Sequence, residues 1–136
     1  MNKLCEYKMD IVIINERNSH RNLDGDVYYV GRPSKFGPPS PLRNNYSHLN
    51  IGHTIKVASL EEAIACYREW LHRMLAEKNV EVRRELNAIY NSALKRKVYL
   101  KCWCMDEISP WKNDHACHAE VIREVVLRRY EELSRR

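Results

Sequence analysis

The chain has 136 residues, of which 44% are hydrophobic and 30% charged, with only 4 Gly and 5 Pro. That is the length and composition of one globular domain, and it excludes collagen-like and low-complexity chains. The longest apolar run, Ile11 to Ile14, is far short of a membrane span, and Met1 to Glu6 carries no apolar leader, so a cytoplasmic protein with no membrane partner is expected. The net charge of +5 is unevenly spread: residues 1–101 hold 17 Lys/Arg against 11 Asp/Glu, and residues 123–136 hold five Arg against three Glu. Between them, residues 102–122 carry one Lys against four acids, and this acidic stretch contains three of the five cysteines. A positive excess so modest and dispersed predicts weak, salt-sensitive contact with nucleic acid.

In chain order, Ile11-Val12-Ile13-Ile14 is a continuous branched run and predicts a strand buried on both faces. Val27-Tyr28-Tyr29-Val30 predicts a second strand, entered through the turn signal Asn22-Leu23-Asp24-Gly25. The segment from Gly31 to Pro41 holds four prolines and two glycines and must be irregular. Residues 42–56 read as continued loop with a short strand near Ile55. Ser59 and Glu62 form a capping box that opens a helix with Leu60, Ile64, Tyr67, Leu71 and Met74 on one face. The Tyr67, Trp70 and Leu71 face reads as core.

A second helix starts near Val80 and buries Val82, Leu86, Ile89 and Ala93. It is closed by Lys95-Arg96-Lys97, cations suited to the dipole at a helix C-terminus. Val98 to Cys104 alternates as a late strand. A final helix is predicted from Asp114 or His115, with Ile122, Val126, Tyr130 and Leu133 as its stripe.

Strands interleaved with helices give the α/β class: one domain over residues 1–136, in two or three layers, with a mostly parallel sheet and about three helices. Residues 1–8 and 134–136 read as flexible ends. In such folds ligands sit beyond the carboxyl ends of the strands. Three segments follow predicted strand ends: Asn15 with Arg17, the loop carrying Arg32 and Ser34, and Cys102-Trp103-Cys104 leading to Cys117-His118. With parallel strands, all three converge on one cleft.

Gly31-Arg32-Pro33-Ser34, the helix from Glu61 to Leu71, Cys102-Trp103-Cys104 and Cys117-His118-Ala119-Glu120-Val121-Ile122 occur in that order. This pattern resembles the domain-of-unknown-function family 4326, small proteins of bacteria, archaea and their viruses, and the resemblance covers about residues 10–126. Where the family has Gly-Asn-Pro-Phe after the Arg-Pro-Ser element, this chain has Phe36-Gly37-Pro38-Pro39, and the resemblance implies that Asn44 takes the place of the family asparagine. The interval between Cys104 and Cys117 is longer than in typical members. The resemblance implies a choice of residues and no reaction.

Three readings of the cysteine segment stand side by side. Cys102, Cys104, Cys117 and His118 are ligand types that zinc accepts, although on an extended strand the Cα atoms of Cys102 and Cys104 would lie about 6.6 Å apart and chelation would need a bulge or strand end. Alternatively, Cys117, in the first turn of the last helix, is a nucleophile or redox thiol, with His118 as base and Glu120 orienting it or relaying a proton. In the third reading the cysteines are core, cysteine being among the most buried residue types.

Arg32 and Ser34, with Lys35 and Arg43 nearby, suit capture of phosphate or carboxylate. The alternative is a rigid loop whose arginine is solvated or paired with an acid such as Glu120. Asn15, Arg17 and Asn44 are further candidate ligand contacts. Together these readings lead to a small α/β protein that binds a phosphate-bearing nucleotide or nucleoside-like ligand through Arg32 and Ser34, with Cys117, His118 and Glu120 acting on it. The alternatives are a zinc-stabilised, basic nucleic-acid-binding accessory protein without catalysis, or a partner-binding protein whose cysteines are only core.

Overall fold

The computed structural model describes residues 9–15, 23–32, 39–48, 54–102 and 117–134. Branched and aromatic residues form three of its strands, β1 (Ile11–Asn15), β2 (Asp26–Tyr29) and β5 (Val98–Cys102). Two short strands, β3 (Tyr46–Ser47) and β4 (Ile55–Lys56), lie between them in sequence. The helices are α1 (Leu60–Ala76), α2 (Val80–Ala93) and α3 (His118–Ser134). The result is a small α/β domain, as the alternation of elements predicts. Among the described residues, no helix is long and apolar enough to cross a membrane.

The principal sheet has the order β1-β5-β2, and both pairings are parallel. Ile11 pairs with Val98 and Asn15 with Cys102, while on the other side Asp26 pairs with Val98 and Tyr29 with Lys101. All three strands therefore end at one edge, which carries Asn15, Cys102 and the segment after Tyr29. A second, two-stranded parallel sheet joins β3 to β4.

Ile11, Ile13, Val98, Leu100, Tyr28 and Val30 all belong to, or pack against, the same core as the three helices. These residues alternate along their strands, so one face of the sheet is the helix-covered face. The expectation that Ile11 to Ile14 is buried on both faces is corrected: Ile11 is buried and Val12, Ile13 and Ile14 are only half-buried, because β1 lies at an edge of the described sheet. Val82, Leu86, Ile89 and Ala93 are buried as predicted from their spacing. On α3, Ile122 and Val126 are buried and Tyr130 is half-buried, but the stripe gives out at Leu133, which is exposed. Ser134, placed in a flexible end by its sequence, is the last residue of that helix.

Local capping explains where the helices begin. The Ser59 hydroxyl accepts from the Glu62 amide at 3.1 Å, and the Glu62 carboxylate accepts from the Ala58 amide at 3.0 Å. Asn79 caps α2 by accepting from the Val82 amide at 3.0 Å. Between these helices the chain reverses through a Schellman closure, in which the Asn79 amide donates to the Met74 carbonyl and the Lys78 amide to that of Leu75. Lys78 stands at the left-handed position of this closure, with φ of 59°, where glycine is the usual occupant.

The basic run after α2 does not serve the helix dipole. The last turn of α2 has no basic residue, and the helix ends at Ala93 with Leu94 as its cap. Arg96 instead pairs with Asp26 at 2.9 Å, and Lys97 lies 3.9 Å from Asp10 and 5.5 Å from the centre of the Tyr99 ring. These contacts tie the amino ends of β1, β2 and β5 together.

Gly25 makes that junction sterically feasible. A Cβ at residue 25 would run into the carbonyl oxygen of Lys97 and lie 2.8 Å from its carbon, beside the 2.9 Å bond from the Asp26 amide to that oxygen. Backbone atoms cannot step aside as a side-chain tip can. Gly25→Ala should therefore destabilise the protein by about 1–3 kcal/mol, the usual cost of overpacking, measured as a lower urea midpoint. A midpoint equal to that of the parent would show that the β2–β5 junction has room to spare.

Candidate functional site

The parallel register assembles the carboxyl edge of the sheet from three separated pieces of sequence. Arg32 follows β2, Asn15 ends β1, and Cys102 ends the central strand opposite Asn15. The fourth piece is the start of α3. His118, its first residue, donates from Nε2 to the Val30 carbonyl at 2.6 Å, because a carbonyl oxygen can only accept. This bond requires a proton on Nε2.

Helix α3 starts at His118, later than the Asp114 or His115 predicted, and this corrects the setting of Cys117. Cys117 precedes the helix, and its carbonyl accepts the first-turn amide of Glu120 at 2.9 Å, as expected of an N-cap residue. It is therefore not inside the first helical turn. Its exposure is 0% and that of His118 is 1%, and Cys117 joins the hydrophobic core cluster. Glu120, in the first turn of the helix, is half-buried. Cys117, His118 and Glu120 thus gather at the carboxyl edge, two of them closed to solvent.

Tyr67 of α1 closes the site from behind. Its ring meets the His118 ring edge-on, with centroids 5.0 Å apart and planes at 80°, and its hydroxyl donates to the Leu42 carbonyl at 2.6 Å. One buried tyrosine thereby holds both the start of α3 and the loop after residue 39. The sequence stripe identifies Tyr67 as core. A buried phenol also needs a hydrogen-bond partner, but nothing in the spacing points to Leu42 or His118.

Arg32 is half-buried and committed in part to the fold. Its Nε donates to the Asn44 carbonyl at 2.8 Å and one terminal nitrogen to the Tyr46 carbonyl at 3.2 Å. A guanidinium has five N–H donors, so these two bonds orient the group without exhausting it. The Tyr29 hydroxyl donates to the Arg32 carbonyl across Gly31, and a Cβ at Gly31 would lie 2.8 Å from Cζ of that tyrosine.

Asn44, by contrast, is an interior residue with 3% exposure. Its Oδ1 accepts from the Tyr46 amide at 2.9 Å and its Nδ2 lies 3.5 Å from the Ala63 carbonyl. Its carboxamide shapes the loop that Arg32 grips. Arg43, expected near an anion, donates to the Ser40 carbonyl at 2.9 Å. Arg17, Ser34, Lys35 and Cys104 lie outside the described residues, as do the side chains of Asn15 and Cys102. Among the described residues no group of three or more His, Cys, Asp or Glu side chains is close enough to hold a metal ion. His48, which the sequence reading passed over, has a buried Nδ1 with no hydrogen-bond partner.

The clearest electrostatic perturbations lie at the other edge of the sheet. The Tyr99 hydroxyl donates to Asp24 at 2.6 Å and holds its carboxyl below the usual range, and Arg96 does the same for Asp26. Glu85 of α2 is pushed upward by burial.

The His118 clamp has a measurable consequence. His118→Ala should lower unfolding stability by about 2–4 kcal/mol, because it opens a cavity beside Tyr67 and orphans the Val30 carbonyl. Tyr67→Phe keeps the ring and loses one buried bond, so about 1–2 kcal/mol is expected. Denaturant titration checks both, and an alanine variant within 0.5 kcal/mol of the parent, the scatter of ordinary surface changes, would show that this contact does not hold α3.

No curated protein and no solved structure matches this chain. A model of a domain of unknown function, DUF4326, matches residues 13–128, a span that runs from β1 into α3 and includes Arg32, Cys117, His118 and Glu120. The chain therefore belongs to the DUF4326 family.

Proposed function

We propose that the carboxyl edge of the sheet binds a small phosphate-bearing ligand of nucleotide or nucleoside type. The observation that carries this reading is the 2.6 Å bond between His118 and the Val30 carbonyl, which joins the Cys117-His118-x-Glu120 element to the strand end that leads into Arg32. In open parallel sheets this edge is where ligands bind. Arg32 and Ser34 supply the anion contacts, joined by Asn15 and Arg17 from the end of β1. The dipole of α3 favours negative charge at its amino end, which lies at the same edge. Glu120 meets a sugar hydroxyl, with His118 behind it as the base and Cys117 the candidate nucleophile.

A panel of inorganic phosphate, nucleosides, and nucleoside mono- and diphosphates tests this by thermal shift. A ligand at 100 times its dissociation constant stabilises by about 2.7 kcal/mol, so one nucleoside phosphate should raise the midpoint clearly. Glu120→Gln should reduce that rise while leaving the ligand-free midpoint nearly in place. A panel in which no phosphate-bearing compound shifts the midpoint removes the reading.

Zinc held by Cys102, Cys104, Cys117 and His118 is a second reading, favoured by one specific feature. A metal-bound histidine characteristically donates its other ring N–H to a carbonyl or carboxylate, as His118 does to Val30. Metal analysis of protein purified without a metal-affinity tag should then find one equivalent of zinc, lost in Cys104→Ser. Protein free of zinc at full stability would leave these cysteines to thiol chemistry or packing.

A further inference from the structure

We propose that the groove between α1, α2 and α3 docks an acidic amphipathic helix of a partner protein. The groove encloses about 500 Å³. Its floor is apolar, formed by Leu75, Leu86, Tyr90 and Val126, and its rim carries Lys78, Arg83, Arg128 and Arg129 against the single acid Glu132. The positive strip continues along α2 into an adjoining depression lined by Arg83, Arg84 and Val80, the last 64% exposed.

Three observations point to this occupant. First, the cations are uncompensated. Two other arginines pair with acids, Arg68 with Glu124 and Arg96 with Asp26. Among the described residues, no side-chain hydrogen bond or ion pair engages Lys78, Arg83, Arg84, Arg128 or Arg129. Like charges gathered around an apolar floor repel one another until an anionic partner arrives.

Second, Lys78 occupies the left-handed position of the α1 closure, φ 59°, where glycine carries no steric penalty and lysine does. Strain at a non-glycine residue is a pointer to function, and here it sets an ammonium at the lip of the groove.

Third, the dimensions suit a helix. Arg83 to Tyr90 and Val125 to Glu132 each span two turns, about 10 Å, which matches anchors at i, i+3, i+4 and i+7 on one face of a bound helix. A compact ligand would leave Val80 and Arg84 uncovered. Besides its aliphatic floor the groove has only Tyr90 and His72 as rings, not the run of stacking faces that single-stranded nucleic acid uses.

The test is fluorescence anisotropy with a labelled synthetic peptide of about 16 residues, leucines at helical spacing on one face and glutamates on the others. A permuted peptide of the same composition and a single-stranded RNA oligomer serve as competing probes. The amphipathic peptide should bind saturably, weaken with added salt, and exceed the permuted peptide by at least about tenfold. Arg83→Glu combined with Arg129→Glu should lower its affinity by at least about tenfold.

Lys78→Gly is the decisive variant because two effects oppose. It should raise the melting midpoint by about 3–5 °C and still weaken peptide binding about threefold, so the loss cannot come from misfolding. Equal binding of the permuted peptide, tighter binding of the RNA, or unchanged affinity in Lys78→Gly would each overturn the proposal.

Discussion

The bond from His118 to the Val30 carbonyl is the constraint on which the rest of the carboxyl edge depends. It joins the first residue of α3 to the residue that follows β2, 88 positions away in sequence. A buried carbonyl without a donor is costly, and a buried imidazole without an acceptor is costly too, so each group holds the other in place. Tyr67 extends the tie to a third segment by meeting the His118 ring and the Leu42 carbonyl together. Arg32 then grips the carbonyls of Asn44 and Tyr46 from the same side. The described chain between β2 and α1 is thereby held by side-chain bonds to its carbonyls as well as by the short β3–β4 ladder.

The two edges of the sheet are built on different chemistry. At the amino edge, Arg96 with Asp26, Lys97 with Asp10, and Tyr99 with Asp24 place acids and bases in complementary positions. Charges there are satisfied internally. At the carboxyl edge the groups are a buried imidazole and thiol, a half-buried carboxylate, and a guanidinium with donors to spare. A third region, over α2 and α3, has exposed cations to which no acid among the described residues is bonded. A protein with a modest total charge can thus pair its charges at one edge and leave exposed cations elsewhere, a distribution that the sum of +5 does not reveal.

Local patterns were legible because they depend on neighbours in sequence. The Ser59–Glu62 capping box, the Val82, Leu86, Ile89 and Ala93 stripe and the strand at Val98 all follow from spacings of two to four residues, and all appear in the structure. The α/β class followed from their order. The start of α3 was read too early, because Asp114 and His115 look like helix-start residues while the actual boundary is set where His118 reaches Val30. The Lys95 to Lys97 run was read as dipole compensation, since its acids, Asp26 and Asp10, lie about 70 residues or more away in sequence.

By itself the sequence determined the class of the fold, the capping box of α1 and the buried stripe of α2, since each rests on local stereochemistry or on short spacing. Tertiary structure alone decided that Asn44 is an interior brace, that Cys117 is closed to water, that His118 spends its Nε2 proton on Val30, and that Lys78 joins three arginines around an apolar groove. Those outcomes depend on which distant backbone carbonyl or helix face each side chain meets. Contacts of that kind arise from parallel pairing and core packing, and no periodicity along the chain encodes them.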